Sequence, residues 1–177
     1  MTDDQEFLIH KQPWVLFRAA GNLLALPISM VEQMVPKGKI VALPGAGASY
    51  RGLMKHRDAT VPVMDLAGML AEVEGMPDSG GNAPAGAHMA ESRVGQTVII
   101  LIWGKVRMGL VVDALVGVEP LPKRSHGIMQ VAPGLKGANT PVNGFALRGD
   151  SSDMVLLVDV EWLASNGHTA VAQEGAA

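Results

Sequence analysis

Five histidines stand at positions 10, 56, 88, 126 and 168, and none lies three to five residues from another. Metal sites draw on clustered His, Cys, Asp or Glu ligands at defined spacing, and no acidic cluster accompanies these imidazoles. Cysteine is absent, which excludes disulfides, thiolate ligands and cysteine nucleophiles. Gly45-Ala46-Gly47-Ala48-Ser49-Tyr50 begins like a dinucleotide loop, but its third glycine position is tyrosine. It also leads into a strand, whereas phosphate binding needs a helix N-terminus. No GxSxG elbow occurs, and no Ser, His and Asp are marked out as a triad. Asp65 and Asp159 could be imagined as paired acids, yet each stands where the N-cap of a short helix would stand. No catalytic residue, metal or cofactor is expected, and turnover of a small substrate is not.

What remains is chemistry of contact. Eleven methionines are many for a chain of this size. Most, such as Met30, Met34, Met54 and Met64, read as core fillers, and a minority suit an adaptable protein-binding surface. Ser29 to Val35 (SMVEQMV) admits two readings. Met30, Val31 and Met34 pack inward from a strand or turn, or they form a partly exposed strip that marks an interface. In the basic run Lys123-Arg124-Ser125-His126, Lys123-Arg124 reads as a solvated loop more readily than as a docking site.

The elements that must carry these residues are short. Apolar residues make up 48% of the 177 residues and charged residues 18%, enough for a sizeable core, and the net charge is −3. The N-terminal MTDDQEFLIHKQP lacks an apolar h-region, and no run approaches the roughly 20 apolar residues of a membrane span. The chain reads as cytoplasmic, without direct membrane insertion. Residues 1–13 read as a flexible leader. Trp14 to Ala20 and Leu23 to Ile28 form a hairpin turning at Gly21-Asn22. Lys39 to Leu43 is a strand. Tyr50 to His56 and Ala59 to Leu66 form a hairpin around Arg57-Asp58, with Pro62 placing the second strand at an edge or an irregular start. Residues 75–95 have the composition of a mobile linker. Thr97 to Trp103, Val106 to Asp113 and Ala114 to Val118 follow. Asn143 to Leu147 and Asp153 to Val158 make a last hairpin, Asp159 to Leu163 a helical turn, and 166–177 a flexible tail.

The pattern therefore runs twice. Each half has a hairpin turning at glycine (Gly21, Gly104), a segment stopped by proline (Pro36, Pro120) and a late hairpin. The late hairpins agree in detail, with Val63-Met64-Asp65-Leu66 matched by Leu157-Val158-Asp159-Val160. Two copies of about five strands predict two small β-barrels around a shared interface, since neither copy is large enough to be stable alone. The first barrel is expected over about 14–72 and the second over 96–165.

The run GxxxxRxxxxPVxDL from Gly52 to Leu66 resembles the CheW family, the coupling domains of bacterial chemosensory arrays. So do GLVVDALVGV (Gly109 to Val118) and NGFALRGDSSDMVLLVDVEWL (Asn143 to Leu163). The resemblance spans about 14–72 and 96–165. It implies an all-β fold of two five-stranded SH3-like barrels with short helical turns. It also implies a non-enzymatic adaptor between chemoreceptor cytoplasmic tips and the regulatory domain of a CheA-type histidine kinase, associated with receptor arrays at the inner membrane. The receptor contact so implied is a helical hairpin laid in the groove between barrels.

Carried across, Val31 matches the valine of the family's groove segment and Arg57 the arginine of its RG turn. Val31, Glu32, Gln33, Met34, Arg57 and Asp58 are the protein-binding residues expected. Two positions depart from the pattern. The usual glutamate two residues after the valine is Gln33, with Glu32 displaced by one. The usual glycine after the arginine is Asp58, which tolerates a left-handed backbone better than most residues.

Two other classes compete with an adaptor. Small barrels also bind oligonucleotides, but a net charge of −3 and only one tyrosine and three phenylalanines argue against nucleic acid. A small hydrolase lacks any nucleophile constellation. An adaptor serving swimming, twitching or another output is the function expected.

Overall fold

Period-two alternation dominates the chain, and strands dominate the structure. The computed structural model describes residues 12–45, 49–71, 97–121, 129–130, 140–148 and 153–172. The leader before Gln12, the proposed linker 75–95 and the basic run 123–126 lie outside the described residues. The first half holds β1 (Gln12–Ala19), β2 (Asn22–Pro27), a 3-10 turn (Ile28–Met30), β3 (Val31–Pro36) and β4 (Ile40–Val41). It continues with β5 (Tyr50–His56), β6 (Ala59–Asp65) and α1 (Leu66–Ala71). The second holds β7 (Thr97–Trp103), β8 (Val106–Val112), β9 (Ala114–Leu121), β10 (Met129–Gln130), β11 (Val142–Leu147), β12 (Met154–Val158) and α2 (Val160–Ala172).

Two six-stranded sheets result, ordered β10-β11-β12-β2-β1-β9 and β3-β7-β8-β6-β5-β4. The fold is all-β, two SH3-like barrels, and among the described residues each sheet has six strands where five were expected per barrel. Ser29 to Val35, open between turn and strand, is both: the 3-10 turn and then β3. The sheets also correct the assignment of barrels to consecutive stretches. β1 and β2 pair with β9 and β12 of the second half, while β7 and β8 pair with β3 and β6 of the first. Each half lends its first hairpin to the other. Exchange β1–β6 for β7–β12 and one strand order becomes the other.

The register makes the repeat exact to the residue along the shared core. The first hairpins end at Ala19↔Asn22 and Trp103↔Val106, and the parallel ladders pair Leu157↔Ala25 and Val63↔Gly109. On that alignment Ile99 takes the place of Val15, Leu101 of Phe17, Met108 of Leu24, Leu110 of Leu26 and Val158 of Met64. All ten lie in one buried cluster between the sheets. The alternate residues turn the other way. Leu16, Leu23, Ala25, Leu121, Ala146, Val155 and Leu157 fill the inside of one sheet, and Met54, Val61, Val63, Val98, Ile100 and Val111 the inside of the other. Period two thus feeds two cores from each strand.

The helices close the shared core. Leu66, Met69 and Leu70 in α1, like Val160, Leu163 and Ala164 in α2, are buried at the i, i+3, i+4 spacing of one helical face. Asp159 caps α2, its Oδ1 accepting from the Trp162 N–H at 2.9 Å. Asp65 holds an ion pair with Arg51 Nε at 2.7 Å. Their backbones do match: the N–H groups of Asp65 and Asp159 donate to the carbonyls of Ser49 and Pro141.

Two further expectations are corrected. The terminal turn expected over Asp159 to Leu163 continues to Ala172, so 166–172, assigned to the tail, are helical. Asn166 Nδ2 donates to the Trp162 carbonyl at 2.9 Å along that helix. The strand with Pro62 is interior, between β5 and β8, and not at an edge. Its ladder to β8 starts at Val63, one residue past the proline, so the start is irregular where a donor is missing.

Candidate functional site

The strand β3 is an edge of its sheet, and a bulge shapes it. Val31 pairs with Leu101 and Gln33 with Ile100, leaving Glu32 as the extra residue. The insertion breaks the alternation, so Val31 and Met34, three apart, both pack against the shared core, as does Met30. All three remain half-buried. The choice between inward packing and exposed strip thus resolves as both: these side chains form part of the rim of the core between the barrels.

Glu32 faces outward from the bulge into a cluster of charges. Arg107 Nε and Nη2 bind its two carboxylate oxygens at 2.5 and 3.0 Å, a bidentate pair. Arg57 Nη1 stands further off, 3.7 Å from Oε1. Arg57 Nη2 instead donates to the amide oxygen of Gln33 at 2.9 Å. The hydrogen bonds from Arg107 hold the Glu32 carboxyl below its ordinary range, against the opposing effect of desolvation. The charges of Arg107, Arg57 and His56 act in the same direction. Of the six residues expected, the structure joins Glu32, Gln33 and Arg57 in one network and sets Val31 and Met34 on the adjoining rim. Asp58 is exposed beside Arg57 in the turn.

The turn differs from expectation in one respect. Arg57, not Asp58, has the left-handed backbone, with φ of +54°. The positive φ thus falls on the arginine and not on the position where glycine was expected.

Arg107 escaped the sequence reading. It lies 75 residues from Glu32 and enters the cluster because β8 is lent to the sheet of the first half. One signal was present: Arg107 is the lone charge within VRMGLVV, opposite Ile102 in the hairpin. The second barrel carries a contrasting pair. Arg148 binds Glu119 through two hydrogen bonds, with Nε at 2.8 Å from Oε2, and the charge of Asp153 adds to the hold on the guanidinium. That contact pulls the Glu119 carboxyl down and the Arg148 guanidinium up. Elsewhere β9 exposes Leu115, Val116 and Val118 along the opposite sheet's edge.

Two SH3-like barrels around a common core define the class of fold. The structure superposes with a TM-score of 0.63 on the crystal structure of scaffolding protein TtCheW from Thermoanaerobacter tengcongensis, covering 85% of each chain at 21% identity, a likeness of fold. The CheW-like domain profile matches residues 13–167, and the chain belongs to that family. Protein PilI of Pseudomonas aeruginosa is 25% identical over 113 residues, 63% of this chain. The match covers 55% of PilI, so the chain spans about half the length of that curated relative.

Proposed function

We propose that this protein is a non-catalytic adaptor of a chemosensory array, joining receptor cytoplasmic tips to the regulatory domain of a CheA-type kinase. One observation carries the reading. Residues far apart in sequence, Met30 to Met34, Arg57 and Arg107, meet as an apolar rim beside a charged cluster, the composition of a protein-docking surface. Family membership supports the same class of function, and the likeness to a scaffolding protein supports it at the level of fold. Its place of action is the cytoplasm, beneath the membrane that holds the receptors. No described helix is long and apolar enough to cross a membrane.

The test is titration of the purified protein with a receptor cytoplasmic fragment and with a kinase regulatory domain, alongside Arg57→Glu. The Arg57 side chain is 66% exposed, so charge reversal should leave the melting temperature almost unchanged. The expected outcome is binding of both partners by the wild type and weaker docking by the variant. A wild type that binds neither partner would overturn the adaptor reading.

A further inference from the structure

We propose that Arg57, whose positive charge is only partly compensated by the distant Glu32 carboxylate, selects a partner segment bearing an Asp or Glu carboxylate beside its apolar contacts. The inference rests on the docking reading above and adds the chemistry of the group that docks. In the cluster, two guanidiniums share one carboxylate, and the sharing is unequal. Arg107 takes Glu32 with both nitrogens at 2.5 and 3.0 Å, while Arg57 remains 3.7 Å away. The second grip on Arg57 comes from the Gln33 amide, a neutral acceptor that fixes the guanidinium at 2.9 Å and leaves its charge intact. Glu32 is only 16% exposed and held, whereas Arg57 is 66% exposed and Arg107 40%.

The displaced acid accounts for this arrangement. A glutamate at 33 would lie against Arg57 and neutralise it. At position 32, on the bulge, the acid falls to Arg107, and position 33 keeps only an amide. The Glu119–Arg148 pair shows the alternative on this same chain, a cation closed by its own carboxylate. Arg57 is thus oriented from within, paired only weakly with Glu32 at 3.7 Å, and open to a closer carboxylate from outside. Its five donors in a rigid fork match a carboxylate. The apolar rim at Val31 and Met34 lies beside it on β3, so the fitting occupant is an amphipathic segment with an acid at the edge of its apolar face. Asp58, exposed in the same turn, sets a like charge that restricts where that acid can lie.

The experiment measures affinity for the receptor cytoplasmic fragment, at low and high salt, for wild type, Gln33→Glu, Arg107→Ala and Arg107→Ala/Glu32→Gln. Gln33→Glu should keep the fold and weaken binding roughly tenfold by closing Arg57 with an internal carboxylate. Arg107→Ala releases Glu32 to Arg57 and should weaken binding similarly. Removing that acid in the double variant should restore affinity to near the wild type, a rescue that loss of packing does not produce. Wild-type affinity should fall with salt, and Gln33→Glu should be the less salt-sensitive of the two. If Arg107→Ala does not fold, Gln33→Glu carries the test alone.

Gln33→Glu binding as tightly as wild type overturns the proposal while leaving the docking reading intact. A wild type that fails to bind the receptor fragment at either salt removes both.

Discussion

Arg57 holds a backbone conformation that its side chain disfavours. A non-glycine residue at φ of +54° costs about 1–2 kcal/mol relative to the right-handed regions. Such strain persists where the surroundings over-determine it, and it gathers at sites with a task. Replacing Arg57 by glycine should therefore leave stability unchanged or raise it by up to ~1 kcal/mol, while docking is lost with the guanidinium. Urea denaturation and a binding titration on the same variant check the two halves, and a clearly destabilised glycine variant would refute the account of strain. Glu32 makes a second prediction, in pH. Its carboxyl ionises below its unfolded-state range because Arg107 hydrogen-bonds the charged form. A depressed folded-state value means stability that is present above about pH 4.5 and lost as pH falls through the folded value. Glu32→Gln should be slightly less stable than wild type from about pH 5 to 8, with the two melting curves converging in acid. A difference that persists or grows at low pH would contradict this.

Among elements, the hairpins were readable because their information is local. Gly21 and Gly104, the polar turn at Arg57-Asp58 and the alternation of Val15, Phe17 and Ala19 against Leu16 each act within a few residues. Periodicity states which faces are buried but not against what, so it could not show that β1 and β2 belong to the sheet of the second half. Arg107 was hidden for the same reason: its contact depends on β8 crossing halves. The helix beyond Leu163 was missed because Ser165, Asn166 and Gly167 are weak helix formers, and the cap at Asp159 together with the buried Val160 and Leu163 overrides that propensity. Val31, Glu32, Gln33 and Arg57 were named from the resemblance, but not the bulge that sends Glu32 to Arg107. Gly52 tests the element scale directly. It lies at the matching bulge of β5, where Gly144 lies in β11, and its φ is +131°. A Cβ there would stand 2.0 Å from the Val41 carbonyl oxygen, on the backbone of the paired strand β4. Gly52→Ala must strain its own dihedral and displace a neighbouring strand, so it should cost about 2–4 kcal/mol in chemical denaturation. A cost below ~1 kcal/mol would mean that β4 yields easily and that the bulge is not fixed by this contact.

At the scale of the whole molecule, the exchanged hairpins make the two halves one cooperative unit. Residues 12–72 alone would keep β3, β4, β5 and β6 but lose β7 and β8, which separate β3 from β6 in their sheet. Their β1–β2 hairpin would have neither β9 nor β12 beside it. Residues 96–172 would suffer the mirror loss. Each fragment would also expose half of the shared core, which draws Val15, Phe17, Leu24 and Leu26 from one side and Ile99, Leu101, Met108 and Leu110 from the other. Two independent barrels joined by a linker would behave differently, each fragment folding by itself with its own transition. The exchanged topology predicts instead that neither fragment shows native near-ultraviolet dichroism or dispersed amide resonances when expressed alone. Mixed at equal concentration, they should regain both, because the hairpins can still cross without a covalent link. Chains this short bury too little surface to be stable in part, which points the same way. The intact protein should melt in a single transition seen equally by Trp14, in one sheet, and Trp103, in the other. A fragment that folds alone, or two resolved transitions in the whole chain, would show that the exchange does not couple the barrels.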